Sequence, residues 1–331
     1  MRCLKIRSVP FFLCLAFGLY DAAQAAAVVR ATGQSFPTVQ AAVEALPESG
    51  GEIALDPGVY REKLTIAKRS VWLRGLGKRS QDVVVVWGDS NASVGGTIKS
   101  ASVTVTGDNF RADNLTIEND WSQHHEQQSQ AVALSVSGDR AVFRRVRLLG
   151  AQDTLHAGDQ CKPGAGCTVS RQYFRDCFIE GHVDFIFGDS NAFFDRCEIR
   201  AIAHDEAMLT AHRDETPDVD RAYVFDRCRI TAERDAKKIW LGRPWREFAR
   251  TIFTNTRIDA RVEPAGWREW TVGETNRLST AFYAEYRSSG RGARTKQRDP
   301  HSHQLTKREA ARWSADVFLR GSDGWAPQKD R

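Results

Sequence analysis

A short motif, Phe-x-x-(Val/Cys/Thr)-x-(Ile/Leu), recurs five times in the middle of the chain and constrains its fold more than any other feature. The copies begin at Phe143, Phe174, Phe194, Phe225 and Phe253, and the first three intervals are 20 or 31 residues long. A repeat of this length is typical of a solenoid, in which each copy forms one coil and stacks on the next.

The segments between the motifs favour strands. Short runs such as Val71–Gly75 and Val83–Trp87 are apolar or alternate with polar residues, and long helical patterns are missing between them. These patterns predict an all-β fold, a single-stranded right-handed parallel β-helix. A short helix over Phe36–Leu46 is expected to cap its first coil. The polar end, Ser288–Arg331, is expected to pack along the solenoid as a tail, with a short helix near Thr306–Trp313.

The first 25 residues have the pattern of a secretory signal peptide. A basic start precedes the apolar run Val9–Tyr20 and the cleavage pattern Ala23-Gln24-Ala25. The apolar run is too short for a stable membrane anchor. Residues 26–331 then form one domain, and the protein is expected to be secreted, either extracellular or periplasmic.

The chain is mildly basic. Its formal net charge of +5 falls to +3 without residues 1–25, which carry a net charge of +2. This balance fits an acidic polymer but also many neutral roles. The sequence contains no basic block interleaved with aromatic residues, so nucleic acid is not an expected partner.

Five cysteines follow the signal segment, at positions 161, 167, 177, 197 and 228. Cys161 and Cys167 bracket a short loop that a disulfide could close. Cys177, Cys197 and Cys228 share one position of the repeat. For this column we weigh a Cys177–Cys197 disulfide against three small buried core residues. A metal site is disfavoured because no Cys-x-x-Cys or histidine pairing accompanies the cysteines.

Asp153 and Asp184 are candidate catalytic residues, since each lies ten residues after a repeat phenylalanine. They should therefore occupy neighbouring coils, about 4.8 Å apart at the backbone. Two carboxyls that close cannot both ionise freely, so one pKa should rise. The pair would then supply a proton donor and a nucleophile.

Several motifs together resemble the pectin methylesterase family, over roughly Phe36 to Ala293. They include Gly150-Ala-Gln-Asp-Thr-Leu155, Gly181-His-Val-Asp-Phe-Ile-Phe-Gly188, Leu241-Gly-Arg-Pro-Trp245 and Gln130-Ala-Val-Ala-Leu134. The resemblance implies a parallel β-helix that removes methyl groups from polygalacturonate. It also implies a monomer that needs no metal or organic cofactor and whose partner is methylesterified pectin.

The resemblance assigns roles residue by residue. Asp184 would be the nucleophile, Asp153 the general acid and base, and Arg243 the cation that holds Asp184 ionised. Gln130 and Gln152 would donate hydrogen bonds to the oxyanion. The residues expected to contact substrate are Thr97, Gln130, His156, Phe187, Arg243 and Trp245.

The sequence also leads to expectations for His156, Trp267 and Trp270. The family usually has Tyr or Phe where this chain has His156, so we expect an altered cleft at that position. Trp267 and Trp270 are interpreted as structural residues or distant subsites.

The sequence is also compatible with functions other than ester hydrolysis. A retaining glycosidase also needs two carboxyls about 5–5.5 Å apart. Polygalacturonases are disfavoured because Val183 follows Gly181-His182 in place of glycine, and serine hydrolases because no Gly-x-Ser-x-Gly occurs. Pectate lyases would need a calcium site of clustered acids. A non-catalytic polysaccharide binder and a relative acting on another ester or thioester complete the alternatives.

Overall fold

The chain winds into a parallel β-helix with three faces, called here sheets A, B and C. The computed structural model describes residues 29–31, 33–162, 166–217 and 221–329, so the predicted signal peptide lies outside the described residues. In each complete coil the chain runs along sheet A, then sheet B, then sheet C, and pairs in parallel with the same strand of the next coil. The predicted fold class is confirmed.

The strand bounds are as follows. Sheet A contains Gln34–Phe36, Val29–Ala31, Gly51–Leu55, Val71–Gly75, Arg111–Asp113, Ala141–Arg144, Arg171–Arg175, Asn191–Asp195, Tyr223–Asp226, Arg250–Thr254, Phe282–Tyr286 and His303–Gln304. Sheet B contains Gly58–Arg61, Val83–Trp87, Thr116–Asn119, Arg147–Leu149, Phe178–Gly181, Glu198–Ala201, Arg229–Ala232 and Arg257–Ile258. Sheet C contains Leu64–Ile66, Val103–Val105, Leu134–Val136, Leu155–Ala157, Ile186–Gly188 and Thr210–His212. Two small sheets pair Gln160–Lys162 with Gly166–Thr168 and Ala207–Met208 with Ile239–Trp240.

The repeat motif forms the corner between sheets A and B. Its phenylalanine is the last residue but one of a sheet A strand, and its Ile or Leu is the second residue of the next strand in sheet B. One polar residue between them turns the chain in the left-handed region, as at Arg145 (φ 49°) and Asp176 (φ 53°). Each such residue donates its N–H to a carbonyl of the next coil, and this bond offsets the strain of a positive φ.

The phenylalanines of the motif stack inside the solenoid. Ring centroids of successive phenylalanines from Phe143 to Phe253 lie 4.4 to 4.8 Å apart and nearly parallel. Since strands of neighbouring coils are about 4.8 Å apart, equivalent side chains stack at the spacing that aromatic rings favour. The sequence repeat therefore specifies the core directly.

Helices cover the first coil and one face of the solenoid. The predicted capping helix spans Val39–Ala45, where the Thr38 hydroxyl accepts a hydrogen bond from the Ala41 N–H. Further α-helices span Asn91–Val94, Trp121–His124, Lys307–Ala311 and Ala315–Phe318, and 3₁₀ turns span Ser80–Asp82, Ile98–Ser100, Thr295–Gln297 and Pro327–Lys329. None of the helices in these described ranges is long and apolar enough to cross a membrane.

The tail after Ser288 packs along the solenoid as predicted. Leu305, Trp313 and Phe318 lie against apolar residues on the outer face of sheet A, among them Tyr173 and Phe193. A tail helix spans Lys307–Ala311 inside the range predicted from the sequence. The tail therefore buries a sheet face that would otherwise be exposed apolar surface.

The cysteine column is part of the core. Cys177, Cys197 and Cys228 are buried free thiols, and each Sγ lies 3.2 to 3.5 Å from a carbonyl oxygen of the preceding coil. The alternative of a Cys177–Cys197 disulfide is wrong. Equivalent positions on parallel coils keep their Cβ atoms near the strand spacing of about 4.8 Å, whereas a disulfide needs about 3.8 Å.

The loop cysteines are arranged differently. Cys161 is opposite Cys167 in an antiparallel hairpin, and Cys167 is disulfide-bonded. The side chain of Cys161 lies outside the described residues, so closure of the loop by Cys161 stays a prediction.

Candidate active site

The two candidate aspartates lie at equivalent points of neighbouring coils. Both adopt the left-handed conformation just before a sheet C strand, with φ of 63° at Asp153 and 51° at Asp184. The Asp153 N–H donates to the Val183 carbonyl at 3.1 Å, and Leu155 pairs with Ile186 in the following strands. The prediction that the two residues occupy adjacent coils is confirmed.

Arg243 holds Asp184 with two hydrogen bonds. Its Nε donates to Oδ1 at 2.8 Å and its Nη2 donates to Oδ2 at 2.6 Å. The guanidinium also lies 4.1 Å from the centre of the Trp270 ring, and its Nη1 donates to the Trp270 carbonyl. Only 14% of the Arg243 side chain is exposed, so this paired geometry is protected from solvent screening.

Burial and charge separate the two carboxyls. Burial raises the pKa of Asp153 well above its ordinary value, the charge of Asp184 raises it further, and Arg243 and a Gln152 hydrogen bond oppose the rise. Burial also raises the pKa of Asp184 above its ordinary value, although the hydrogen bonds and charge of Arg243 oppose this rise. The pKa of Asp153 is therefore raised more strongly than that of Asp184, so a proton bound by the pair favours Asp153.

This arrangement predicts that Asp153→Asn stabilises the fold at neutral pH. Because the folded-state pKa of Asp153 is raised, its stabilising contribution is complete below the unfolded pKa of about 3.9 and is lost as pH rises through the folded value. Asparagine tolerates the left-handed backbone and has no proton to lose. Urea unfolding should show the variant more stable by about 1–3 kcal/mol at pH 7, with a gap that shrinks towards pH 4. A variant less stable than wild type at both pH values would contradict the assigned protonation.

A cavity of about 480 Å³ opens beside the pair. It brings together most of the predicted site residues: Thr97, Gln130, Asp153, Asp184, Phe187 and Trp245 line it. Phe187 and Trp245 lie 6.1 Å apart between ring centroids, and Trp270 continues the aromatic wall 6.4 Å from Trp245. The cavity thus combines two carboxyls with an aromatic surface of the kind that packs against sugar faces.

The two glutamines differ in position. Gln130 lines the cavity, where its Oε1 accepts a hydrogen bond from Asn91 Nδ2 at 3.2 Å. Gln152 is half-buried and hydrogen-bonds the carboxyl of Asp153. Gln130 is therefore a cavity residue whose oxygen is bonded to Asn91, while Gln152 is a partner of Asp153.

His156 is not placed as the sequence suggested. It is 9% exposed, does not line the cavity, and its ring lies 5.0 Å from that of Phe187 on the next coil. Its Nδ1 is 2.9 Å from the Ser135 hydroxyl, and burial lowers its pKa to about 4. The interpretation that His156 lines the cleft is wrong, because sequence spacing gives the face of the sheet but not what covers it. His156 is a neutral residue that packs beside Phe187.

Trp267 is a structural residue, as the sequence indicates, whereas Trp270 lies at the cavity and not at a distant subsite. Trp267 is buried and stacks on Tyr283 with centroids 4.0 Å apart, as a structural residue should. Trp270 instead lines the cavity and covers Arg243.

No group of three or more His, Cys, Asp or Glu side chains that could hold a metal ion occurs within residues 29–31, 33–162, 166–217 and 221–329. Arg243 and Gln152 are hydrogen-bond partners of the two aspartates.

Comparison with known proteins gives a consistent result. The family model described as Pectinesterase matches residues 25–322. Pectinesterase QRT1 of Arabidopsis thaliana is 35% identical over 87% of this chain and 75% of its own length. Probable pectinesterase/pectinesterase inhibitor 23 of the same plant is also 35% identical, but the chain spans only 52% of that protein.

Solved structures agree with these relatives. A pectin methylesterase from carrot superposes with a TM-score of 0.78 at 30% identity, covering 89% of this chain and 93% of the carrot chain. A pectin methylesterase in complex with a hexasaccharide has a TM-score of 0.72 at 29% identity, covering 89% of this chain and 95% of its own.

Proposed function

The chain belongs to the pectinesterase family and hydrolyses methyl esters of pectin, and we propose that Asp184, Asp153 and Arg243 carry out the reaction. The observation that carries this assignment is the paired geometry of Arg243 and Asp184 beside a second buried carboxyl. An ionised carboxylate next to a protonated one supplies a nucleophile and an acid at the same bond.

The first step is attack on the ester carbonyl. The Asp184 carboxylate adds to the carbonyl carbon, and the charge that develops on its oxygen is stabilised by the amide hydrogens of Gln130 and Gln152. As the C–O bond to the methoxy group breaks, Asp153 donates its proton and methanol leaves. The product is a mixed anhydride between Asp184 and galacturonate, with Asp153 ionised.

The second step is hydrolysis of that anhydride. Asp153, now a base, takes a proton from water, and the oxygen of this water adds to the galacturonyl carbonyl. The anhydride C–O bond breaks, which regenerates the Asp184 carboxylate opposite Arg243. The galacturonate carboxyl is released and ionises, so that each cycle consumes one water and yields one methanol and one proton.

The aromatic wall would position the polymer for this chemistry. Phe187 and Trp245 offer flat apolar surface to sugar rings, and Thr97 offers a hydroxyl on the same cavity. Substrate binding by His156 is not proposed, because its ring is buried beside Phe187.

The direct test is methanol release from highly methylated pectin by the purified protein, with chelator present and reducing ends counted in the same tube. Methanol without new reducing ends is expected. New reducing ends would instead favour a retaining glycosidase using the same two aspartates. Neither product would favour a relative that acts on another ester or thioester.

The pH profile of kcat/KM should be bell-shaped. Activity rises as Asp184 ionises and falls as Asp153 loses its proton, so the two limbs report the pair. The charge of Arg243 opposes the rise in pKa that burial causes at both carboxyls. Arg243→Gln should therefore reduce activity and shift the acid limb of the residual activity to higher pH. An acid limb that stays in place would contradict the role of Arg243.

We propose that residues 1–25 are removed on secretion and that the mature protein acts as a monomer on a polymer outside the cytoplasm. An N-terminus at Ala26 and a monomer mass by light scattering are expected, whereas an intact N-terminus or a dimer mass would count against them.

A further inference from the structure

His182 and Val183, which precede Asp184, are hydrogen-bonded to both neighbouring coils. The His182 N–H donates to the Ala151 carbonyl at 2.9 Å, and the His182 carbonyl accepts from Met208 at 2.9 Å. The Val183 carbonyl accepts the N–H of Asp153 at 3.1 Å. Three of the four backbone polar groups of His182 and Val183 therefore bond to neighbouring coils.

The fourth group, the Val183 N–H, has a side chain as its partner. It donates to His182 Nδ1 at 2.7 Å. At the corresponding position of the next coil, the Ala207 N–H instead bonds to the Lys238 carbonyl at 3.3 Å. The imidazole of His182 therefore supplies an acceptor that the solenoid does not provide at Val183.

The His182 ring is fixed in the state that this bond needs. It is 8% exposed and stacks on His204, with centroids 4.2 Å apart and planes 18° from parallel. The His204 ring nitrogens lie 2.7 Å from the Glu206 carbonyl and 3.2 Å from Gln128 Oε1. Burial, and then His204, lower the pKa of His182 to about 4, so Nδ1 remains free to accept at neutral pH.

We propose that His182 is a positioning residue for the reaction, whose Nδ1 fixes the Val183 peptide and through it the relative placement of Asp153 and Asp184. Val183 leads directly into the left-handed backbone of Asp184, and its carbonyl accepts the amide of Asp153. A change in the backbone conformation of Val183 would therefore displace both carboxyls. The inference rests on the catalytic roles proposed above for the two aspartates.

The test compares two substitutions of the same side chain. Asparagine can place its Oδ1 where His182 has Nδ1, whereas leucine has similar bulk and no acceptor. We expect His182→Leu to lower kcat by about 10–100-fold with KM within about two-fold, since small misplacements of reacting groups are costly. His182→Asn should keep kcat within about five-fold of wild type.

A second readout does not depend on activity. Hydrogen exchange at the Val183 amide should be faster in His182→Leu than in wild type and slow again in His182→Asn. The matched control is His204→Ala, which removes the stacking partner but keeps the Nδ1 acceptor. Its kcat should stay within about three-fold of wild type.

Failure of the proposed function and failure of the positioning role of His182 give different results. Wild-type protein that releases no methanol contradicts the proposed function, and the exchange result then still reports whether His182 holds the Val183 peptide. If wild type is active, two results would overturn the positioning role. One is a His182→Leu variant with unchanged kcat. The other is a His182→Asn variant as slow as His182→Leu.

Discussion

Asp184→Asn is expected to abolish ester hydrolysis while leaving the fold intact. The amide is nearly isosteric with the carboxylate and tolerates the left-handed backbone at φ 51°, but it is a poor nucleophile. We expect kcat to fall by about 10⁴-fold or more, as when the nucleophile of other covalent hydrolases is removed. Methanol release measures the loss, and circular dichroism and thermal unfolding report the fold.

Asp176→Asn is the matched control for this variant. Asp176 also has a positive φ, of 53°, but it lies at the corner of sheets A and B and pairs with Arg196. Its side chain is 46% exposed, so the ion pair contributes little. Activity close to wild type is expected. If Asp184→Asn kept activity close to that of Asp176→Asn, a turn-forming role for Asp184 would explain the data better than a catalytic one.

Phe194→Ala is expected to lower the free energy of unfolding strongly. Phe194 is fully buried and stacks between Phe174 and Phe225, with centroids at 4.8 and 4.4 Å. Truncation removes both stacking contacts and leaves a cavity in the middle of the column. A loss of about 3–5 kcal/mol in the free energy of unfolding is expected from urea titration.

Phe194→Leu separates the loss of the ring from the loss of volume. Leucine fills most of the space, so the expected cost is smaller, about 1–2 kcal/mol. A Phe194→Ala variant within about 1 kcal/mol of wild type would show that the column relaxes around the gap. The stacked core would then contribute less than its geometry indicates.

The solenoid could be predicted because its core repeats along the sequence. Each motif phenylalanine predicts its own place in the column, and the ten-residue offset from Phe174 predicts that Asp184 follows one coil after Asp153. The short strands were also recognisable, since Val71–Gly75 and Val83–Trp87 have the bounds read from the sequence.

The sequence did not predict contacts between residues that the repeat does not relate to one another. His156 and Phe187 share a face of sheet C, but only the packing of neighbouring coils shows that His156 is buried beside the cleft rather than in it. The contact of Arg243 with Trp270 joins residues 27 positions apart. The hydrogen bond from the Val183 N–H to His182 is local in sequence. Its role can be recognised only in the structure, which shows that the described residues of the next coil provide no carbonyl acceptor for this N–H.

The most direct test of the account asks which aspartate carries the acyl group. Wild-type protein turning over a methylated oligogalacturonate is quenched into hydroxylamine, which converts a mixed anhydride into hydroxamates, and the aspartyl product is located by peptide mass spectrometry. We expect a substrate-dependent aspartyl hydroxamate at Asp184 and none at Asp153. A hydroxamate at Asp153, or none at either residue and none on the sugar during full turnover, would contradict it.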